Sequence, residues 1–581
     1  MKHLKFFSFL LWALLNSSFS FAQIQADWYL TLDSCCSVTN TSAVHAGKAP
    51  LTQAYQGEGV IVGTIDGGLQ YNHPAFRDNN GQLRIRKVWD FDENGKPIVL
   101  SDPQAILARK FSYGSCYGFA TTNHASHVAG IAASSGRYKG MAPASEIIFA
   151  DFIIPMERDS LVFVFQRQLI KCIRDMYAYA DSVGKPIVIN ISLGQNIGFS
   201  TELAALQKEF ETLTGPGHII LSSAGNEGNV KESAHYLNSG TNTSAEAVLS
   251  IMPVPMSNKL YVRSADSVEL ALTVPAEQKE AYQTSYVRLP DAPDGKKVYR
   301  LDITPKAEPA QAPFRIVVNA NGKSPFEYFT VLCGIAGANT PGCTVSNDYT
   351  VGIPASYPNV IAVANYAVEG SEMKMADASS WGPTWDGRNK PDVTAVGSVI
   401  SAGNYYSPEN AHDVVEAYPM DGKDSLETWC GQFGTSQASP MMAGIVALWL
   451  QANPKLTPED IFTVINKTAK PLEQIPNNKS GAGMVDAYAG LLEVLKLPQA
   501  IDNLSLHQPQ GVRFAVEGQT LHALGAEHGT IRVYDLSGRL VVQGALQAGH
   551  FSLQGVNSGI YAVQLNTGDS KTTGSTLIRI Q

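Results

Sequence analysis

Four short segments, far apart in the chain, carry the residue types that acyl transfer needs: Asp66 in VIVGTIDGG, His124 in NHASHVAG, Asn226 in SSAGNEG and Ser436 in GTSQASP. A serine hydroxyl is a poor nucleophile at neutral pH. It needs an imidazole to take its proton and a carboxylate to hold that imidazole's tautomer. An amide such as that of Asn226 can donate to a developing oxyanion without titrating, and losing such a donor costs about 3 kcal/mol of barrier. Taken singly, each residue would pass for an ordinary turn or cap. Together they offer an acid, a base, an oxyanion donor and a nucleophile, in the order acid, base, nucleophile.

The surrounding residues predict how these groups are held. Residues 59–65 are an apolar run that ends in Asp66-Gly67-Gly68, a buried strand with a carboxylate at its C-terminal tip. In open α/β sheets that edge is where sites are built. His124 opens a stretch of small and apolar residues to Ala133, a buried helix with the imidazole at its mouth. His127 follows three residues later, but no Glu lies between the two and no further His or Cys follows at ligand spacing. Zinc is therefore disfavoured, and His127 reads as a packed, hydrogen-bonded neighbour. Residues 218–222 form another strand, and 224–228 turn the chain out of it at Asn226. Proline is tolerated only in a helix's first turn, so the apolar helix after Ser436 is predicted to begin close to Pro440. Ser436 would then lie near a helix N-terminus, where free N–H groups favour negative charge.

The spacing between these segments predicts the frame. A helix over Leu161–Ser182 precedes a β-branched run at 186–192. Residues 201–213 place Leu203, Leu206, Phe210 and Leu213 on one helical face, and a strand at 219–222 follows. Such alternation gives an α/β fold, a parallel sheet with helices on both faces. From about 236 to 342 the alternation stops. Short β-type runs at 247–252, 268–274, 298–303, 314–318 and 328–332 predict an inserted β-sandwich-like domain. Thr457-Pro458-Glu459-Asp460 caps a helix to about residue 469. Near the end, 531–541 alternates around Asp-Leu-Ser-Gly, and a second alternating strand follows Ser558-Gly559-Ile560-Tyr561, as in a separate small β-sandwich.

These segments resemble the subtilisin-like serine peptidases, or subtilases. The likeness includes Ile189-Asn190-Ile191-Ser192-Leu193-Gly194, 357–363, Ser380-Trp381-Gly382-Pro383 and Lys390-Pro391-Asp392-Val393, over roughly residues 55–235 and 345–495. It implies that Asp66 orients, His124 is the general base and then acid, Ser436 attacks, and Asn226 joins the Ser436 N–H in an oxyanion hole. Ser192, Leu193, Gly194 and Gly225 would bind substrate, the first three as a strand that pairs with its main chain. It implies no cofactor; calcium sites are common in the family, but no acidic loop here marks one. Several positions depart from the family pattern: Gly67 after the acid, Ala125-Ser126 in place of Gly-Thr, Gln195 where a second Gly is usual, and Gln437 in place of Met. None removes a group that makes or breaks a bond. The competing reading is a catalytically silent subtilase-fold binding protein at the cell surface. The C-terminal repeats resemble the sorting domain of the type IX secretion system, including a closing strand over 576–580, which implies that machinery as a partner and a secreted or outer-membrane-surface location.

Composition and processing signals agree. Hydrophobic residues at 44% and charged residues at 16% describe an ordinary folded chain. A net charge of −9 without a basic cluster argues against nucleic acid as a partner. Lys2 and Lys5, an apolar stretch to Leu15 and Ser20-Phe21-Ala22 form a signal peptide over 1–22, and no later run is apolar enough to span a membrane. The expected layout continues with a segment at 23–55, either a short propeptide or an extension. Catalytic portions at 56–235 and 345–497 then flank the insertion at 236–344, and a linker at 498–510 precedes the sorting domain at 511–581. Seven cysteines in an exported chain leave at least one unpaired. Cys333 and Cys343, across a short loop, are the favoured pair; Cys116 with Cys430 is a second candidate, and adjacent Cys35 and Cys36 would need separate partners.

Overall fold

In a computed structural model of the chain, the apolar runs between residues 61 and 396, outside the insertion, become a nine-stranded sheet. Its strands are β1 (Ile61–Asp66), β2 (Ile85–Phe91), β3 (Pro97–Leu100), β4 (Glu146–Asp151), β5 (Ile187–Ile191), β6 (His218–Ser223), β7 (Ile361–Glu369), β8 (Glu372–Met375) and β9 (Val393–Val396). Their order is β8-β7-β6-β5-β1-β4-β2-β3, with β9 also pairing β7. All central pairs are parallel, and only β3 and β8 run antiparallel to their neighbours. The residues described are 29–115, 123–152, 161–195, 204–229, 233–236, 244–251, 258–273, 276–292, 294–306, 315–321, 324–331, 333–338, 343–369, 372–404, 414–420, 426–496, 513–535, 540–557, 559–567 and 573–580. They divide into two compact units, Met1–Leu491 and Leu492–Gln581.

Parallel sheets need cover on both faces, and every residue of β1 and β5 is buried. Five helices matter: α1 (His124–Ala133), α2 (Leu161–Ser182), α3 (Ala204–Glu211), α4 (Thr435–Ala452) and α5 (Pro458–Thr468). On α2, Leu169, Ile173, Met176 and Ala180 recur at helical spacing and pack with Ile61, Ile65, Ile189 and Ile191 of the sheet. Full burial of each such large side chain is worth about 1.5–3 kcal/mol. The opposite face of β5 meets α4, where Ser439 Oγ donates to Asn190 Oδ1 at 2.6 Å. A helix apolar all round belongs in the interior, and α4 is buried from Gln437 to Leu450. Gly444 lets it approach α1: a Cβ there would lie 2.6 Å from the Ala132 carbonyl and 2.5 Å from Met141 Cβ. The predicted cap of α5 forms as a capping box between Thr457 and Asp460. α3 covers Ala204–Glu211, while 201–203 lie outside the described residues.

The chain before β1 is woven into this body. Leu30–Thr31 pairs in parallel with Val399 and Ile400, in a second sheet with Leu426–Phe433 and Val414–Pro419 that the sequence reading did not anticipate. Leu32, Cys35 and Val44 are fully buried. Asn40 Nδ2 donates to Asp486 Oδ2 at 2.6 Å, and Ala487 N–H donates to the Thr39 carbonyl at 2.8 Å. Cys35 and Cys36 are buried free thiols rather than halves of separate disulfides, and the Cys36 sulfur lies 3.9 Å from that of Met141. Cys116 and the side chains of Cys333 and Cys343 lie outside the described residues.

The β-rich stretch after Asn226 forms two sheets, of six and four strands, around Leu260, Val262, Ile303, Val318 and Phe326. Its stems return to the turn that carries Asn226. Gly228 N–H donates to the Ala378 carbonyl at 2.8 Å, and Asn347 Nδ2 donates to the Gly228 carbonyl. Arg263, buried between strands, bonds Glu327 at 2.8 Å and the Trp385 carbonyl at 2.6 Å, and its guanidinium lies 5.0 Å from the Trp385 ring centre. The second unit is a seven-stranded antiparallel sheet with Leu521, Ile531, Val533, Val563 and Leu565 in its core. Its first and last strands, Arg513–Glu517 and Thr573–Ile580, also lie against each other.

Candidate active site

The chain leaves β1 toward one edge of the sheet and places β5, β6 and β7 toward the other, so β1 and β5 flank the switch in strand order. Open α/β sheets bind ligands at such a switch, beyond the C-terminal ends of the strands. Asp66 ends β1, Ser192 follows β5, and Asn226 follows β6. His124 and Ser436 lie in the first turns of α1 and α4.

Asp66 is almost fully buried, and both its carboxylate oxygens lie 2.9 Å from His124 Nδ1. Oδ1 also accepts the Gly67 N–H at 2.7 Å. Holding Nδ1–H against the carboxylate leaves Nε2 as the basic nitrogen. The His124 side chain is a quarter exposed. Its burial works against the imidazolium, but the Asp66 charge and hydrogen bond outweigh burial and raise its pKa above the ordinary value. Behind the pair, Ser126 accepts the Gln70 N–H at 2.8 Å and donates to Asn404 Oδ1, and Asn404 Nδ2 donates to the Gly68 carbonyl at 2.5 Å. The hydroxyl retained at Ser126 thus ties α1 to the Asp66 turn. The Ala125 methyl is accommodated with no exposure.

His127 is a packed neighbour. Its Nε2 lies 3.0 Å from the carbonyls of both Val399 and Cys430, and burial lowers its pKa to about 3. Among the described residues no group of three or more His, Cys, Asp or Glu is arranged to hold a metal ion.

The helix carrying Ser436 does not start near Pro440. It starts at Thr435, and Pro440 lies inside it. Proline has no N–H, so the carbonyl four residues earlier, that of Ser436, loses its helical partner. Ser192 Oγ takes that place and donates to the Ser436 carbonyl at 2.7 Å. In return Ser436 Oγ donates to the Ser192 carbonyl at 3.2 Å, and Asn190 Nδ2 donates to Ser192 Oγ at 2.9 Å. Among the described residues no hydrogen bond joins Ser436 Oγ to His124. Catalytic hydrogen bonds are often long or misaligned without substrate.

The orientation of the Asn226 amide follows from its neighbours. Its Oδ1 accepts the Thr435 N–H at 3.0 Å and the Thr435 hydroxyl at 3.1 Å. A backbone N–H can meet only the amide oxygen, so Nδ2 is the end turned away from Thr435. Thr435 Oγ1 also accepts the Gly225 N–H at 3.2 Å. Gly225 has φ +116°, and a Cβ there would press on Glu227 and stand 2.7 Å from Ser380 Oγ. The Leu193 side chain is packed in the core, and Gly194 lies beside residue 353, where a Cβ would stand 3.1 Å from the Ile353 carbonyl. Gln195 exchanges backbone hydrogen bonds with Ile353 at 2.9 and 3.0 Å, so the position where a second glycine is usual pins this strand instead. Gln437 is buried and bonds Gln432 at 3.1 Å.

Sequence reasoning passed over Thr435, Asn404 and Asp151. Thr435 adjoins Ser436 and could have been singled out. Asn404 and Asp151 reach the site only through tertiary contacts.

Comparison with known proteins agrees with this architecture. The Secretion system C-terminal sorting domain profile matches residues 514–579. Minor extracellular protease Vpr of Bacillus subtilis is 27% identical over 457 residues, covering 74% of this chain and 51% of that protein. Serine protease AprX of the same species is 33% identical over 162 residues, 27% of this chain and 34% of that protein. The chain therefore spans only about a third to a half of these relatives. Among solved structures, the CspB protease of Clostridium perfringens has a TM-score of 0.60 at 23% identity, covering 79% of this chain and 97% of that one, a likeness of fold. The Subtilase family profile matches residues 57–294 and 292–483, most of the sequence, and the chain belongs to that family of serine peptidases.

Proposed function

We propose that the protein is an exported serine endopeptidase acting through an acyl-enzyme on Ser436. The observation that carries this reading is the short contact of the buried Asp66 with His124 at the sheet edge where Ser436 and Asn226 also converge. An extended peptide would lie along 192–194 as an added strand, with Gly225 beside it. With substrate bound, Ser436 Oγ would leave the Ser192 carbonyl for His124 Nε2. The imidazole takes the proton as Oγ attacks the scissile carbonyl. Asn226 Nδ2 and the Ser436 N–H receive the oxyanion, and His124 then protonates the leaving amine. Water repeats the sequence to release the acid. Every proton transfer is assigned to a side chain, so we propose that no cofactor takes part; peptidase activity that persists after dialysis against EDTA is the expected result.

Residues 1–22 and the sorting domain support export through the type IX machinery, with release at or from the outer-membrane surface. Among the described residues no helix is long and apolar enough to cross a membrane. The competing reading, a silent binding protein, draws on the Ser436 hydroxyl being bonded to Ser192 rather than to His124. A fluorophosphonate probe separates the two. Labelling of the secreted protein that disappears in both Ser436→Ala and His124→Ala is expected; a folded protein that is never labelled would leave the binding reading.

A further inference from the structure

Asp151 ends β4, in register with Asp66 at the end of β1. It is 4% exposed, and three donors converge on its carboxyl group. The Gly114 N–H reaches Oδ2 at 2.6 Å, while the Ser112 hydroxyl and the Gly68 N–H reach Oδ1 at 3.0 and 3.3 Å. Gly68 belongs to the turn after Asp66. Ser112 and Gly114 lie twelve and ten residues before His124 in the chain. Ser112 Oγ also accepts the Leu69 N–H at 3.0 Å. One carboxyl group therefore joins the Asp66 turn to the 112–114 segment.

All three groups can donate, so the set suits an ionised carboxylate. The ionised form can accept all three at once, whereas a proton on either oxygen takes up one of its acceptor positions. Opposing them, burial and the Asp90 charge on β2 push the Asp151 pKa up to about 7. Asp90 accepts the Tyr71 hydroxyl at 3.1 Å and pairs with Arg109, and the Cys172 thiol of α2 also feels the Asp151 charge. Asp66 lies beside it in register on β1, and Glu227 is a further part-buried acid in the turn after β6. The carboxylate is thus poised between its donors and its surroundings.

We infer that Asp151 is a positioning residue for the Asp66–His124 pair: its ionised carboxylate holds the Asp66 turn and the 112–114 segment in the arrangement acyl transfer requires. The inference rests on the serine-peptidase reading. Two groups, His124 and Asp151, must then each lose a proton before the site works. The acid limb of kcat/KM should fall with a slope approaching two protons.

The test is a pH profile of kcat/KM on the secreted protein. Asp151→Asn is expected to lower kcat more than it changes KM and to reduce the acid limb to one proton. Ser112→Ala removes one donor to the charged form and should move the limb up by about one pH unit. If Asp151→Asn keeps the wild-type slope and midpoint, or Ser112→Ala leaves the limb in place, the inference is overturned. Should Asp151→Asn fail to fold, Ser112→Ala still decides it. Wild-type labelling by fluorophosphonate at pH 8 separates the two levels: labelled protein with an unmoved limb counts against Asp151 alone, and unlabelled protein overturns both readings.

Discussion

Thr435→Val asks whether the residue before the nucleophile aims the oxyanion donor. Thr435 holds Asn226 Oδ1 with its N–H at 3.0 Å and its hydroxyl at 3.1 Å. Valine keeps the shape and the N–H but deletes the hydroxyl. One of two bonds to the amide oxygen is lost, worth about 1 kcal/mol net, or about fivefold in rate. Asn226→Ala removes the donor itself and should cost about 10²–10³ in kcat. The expected result is therefore a kcat lowered about five- to tenfold by Thr435→Val with KM little changed. The Gly225 N–H also loses its acceptor, so stability should drop by about 1–3 kcal/mol. The assay is steady-state hydrolysis of a chromogenic peptide, with active sites counted by fluorophosphonate so that unfolded enzyme does not enter kcat. In the Asn226→Ala background Thr435→Val should cost almost nothing further, because the two act through one amide. An equal loss in both backgrounds would refute the reasoning.

Other perturbations test the frame. Lys390→Met leaves the mostly covered Asp392 without the partner now 2.5 Å away, and should lower unfolding stability by about 3 kcal/mol in urea melts. Gly444→Val drives side-chain atoms into Ala132 and Met141, so the helices carrying His124 and Ser436 must separate; a thermal midpoint and a kcat both unchanged would contradict that packing. The native pKa of Asp151 is pushed up to about 7, above the ordinary carboxylate value, so its ionisation weakens the fold as pH rises toward 7 and the penalty is complete above that. Asp151→Asn should therefore gain stability relative to wild type between pH 5 and pH 8, by roughly a few kcal/mol, and a constant difference would contradict the sign. Removing residues 511–581 should leave the chain in the periplasm, as read by fractionation; undiminished secretion would make the C-terminal unit a mere accessory.

The parts of the site that lie on one segment were legible. Asp66 at a strand tip and His124 at a helix mouth follow from apolar runs that end in a polar residue. The start of α4 was misjudged because Pro440 was expected in the first turn. The orphaned Ser436 carbonyl is satisfied by Ser192, a residue 244 positions away. That partner is invisible to local propensity. The network of Ser126 and Asn404, 278 residues apart, was hidden for the same reason. In the insertion, short β-type runs revealed five strands, but Asn258–Ser264 and Tyr282–Leu289 went unremarked. Side chains there are read against two sheets at once, and composition alone does not say which face is inner. The second sheet of the catalytic unit joins residues 30–31 to 398–402, a pairing that no window of sequence contains.

Asn40 and Asp486 are bonded across 446 residues, and Leu30 of the first described strand pairs with Val399. Closing a loop that long carries an entropy penalty of about 5 kcal/mol, and such distant pairings slow folding. While the ribosome is still at work, the earliest segment has nothing to lie against. Residues 30–40 therefore find the partners that bury them only once the chain has been made as far as residue 487.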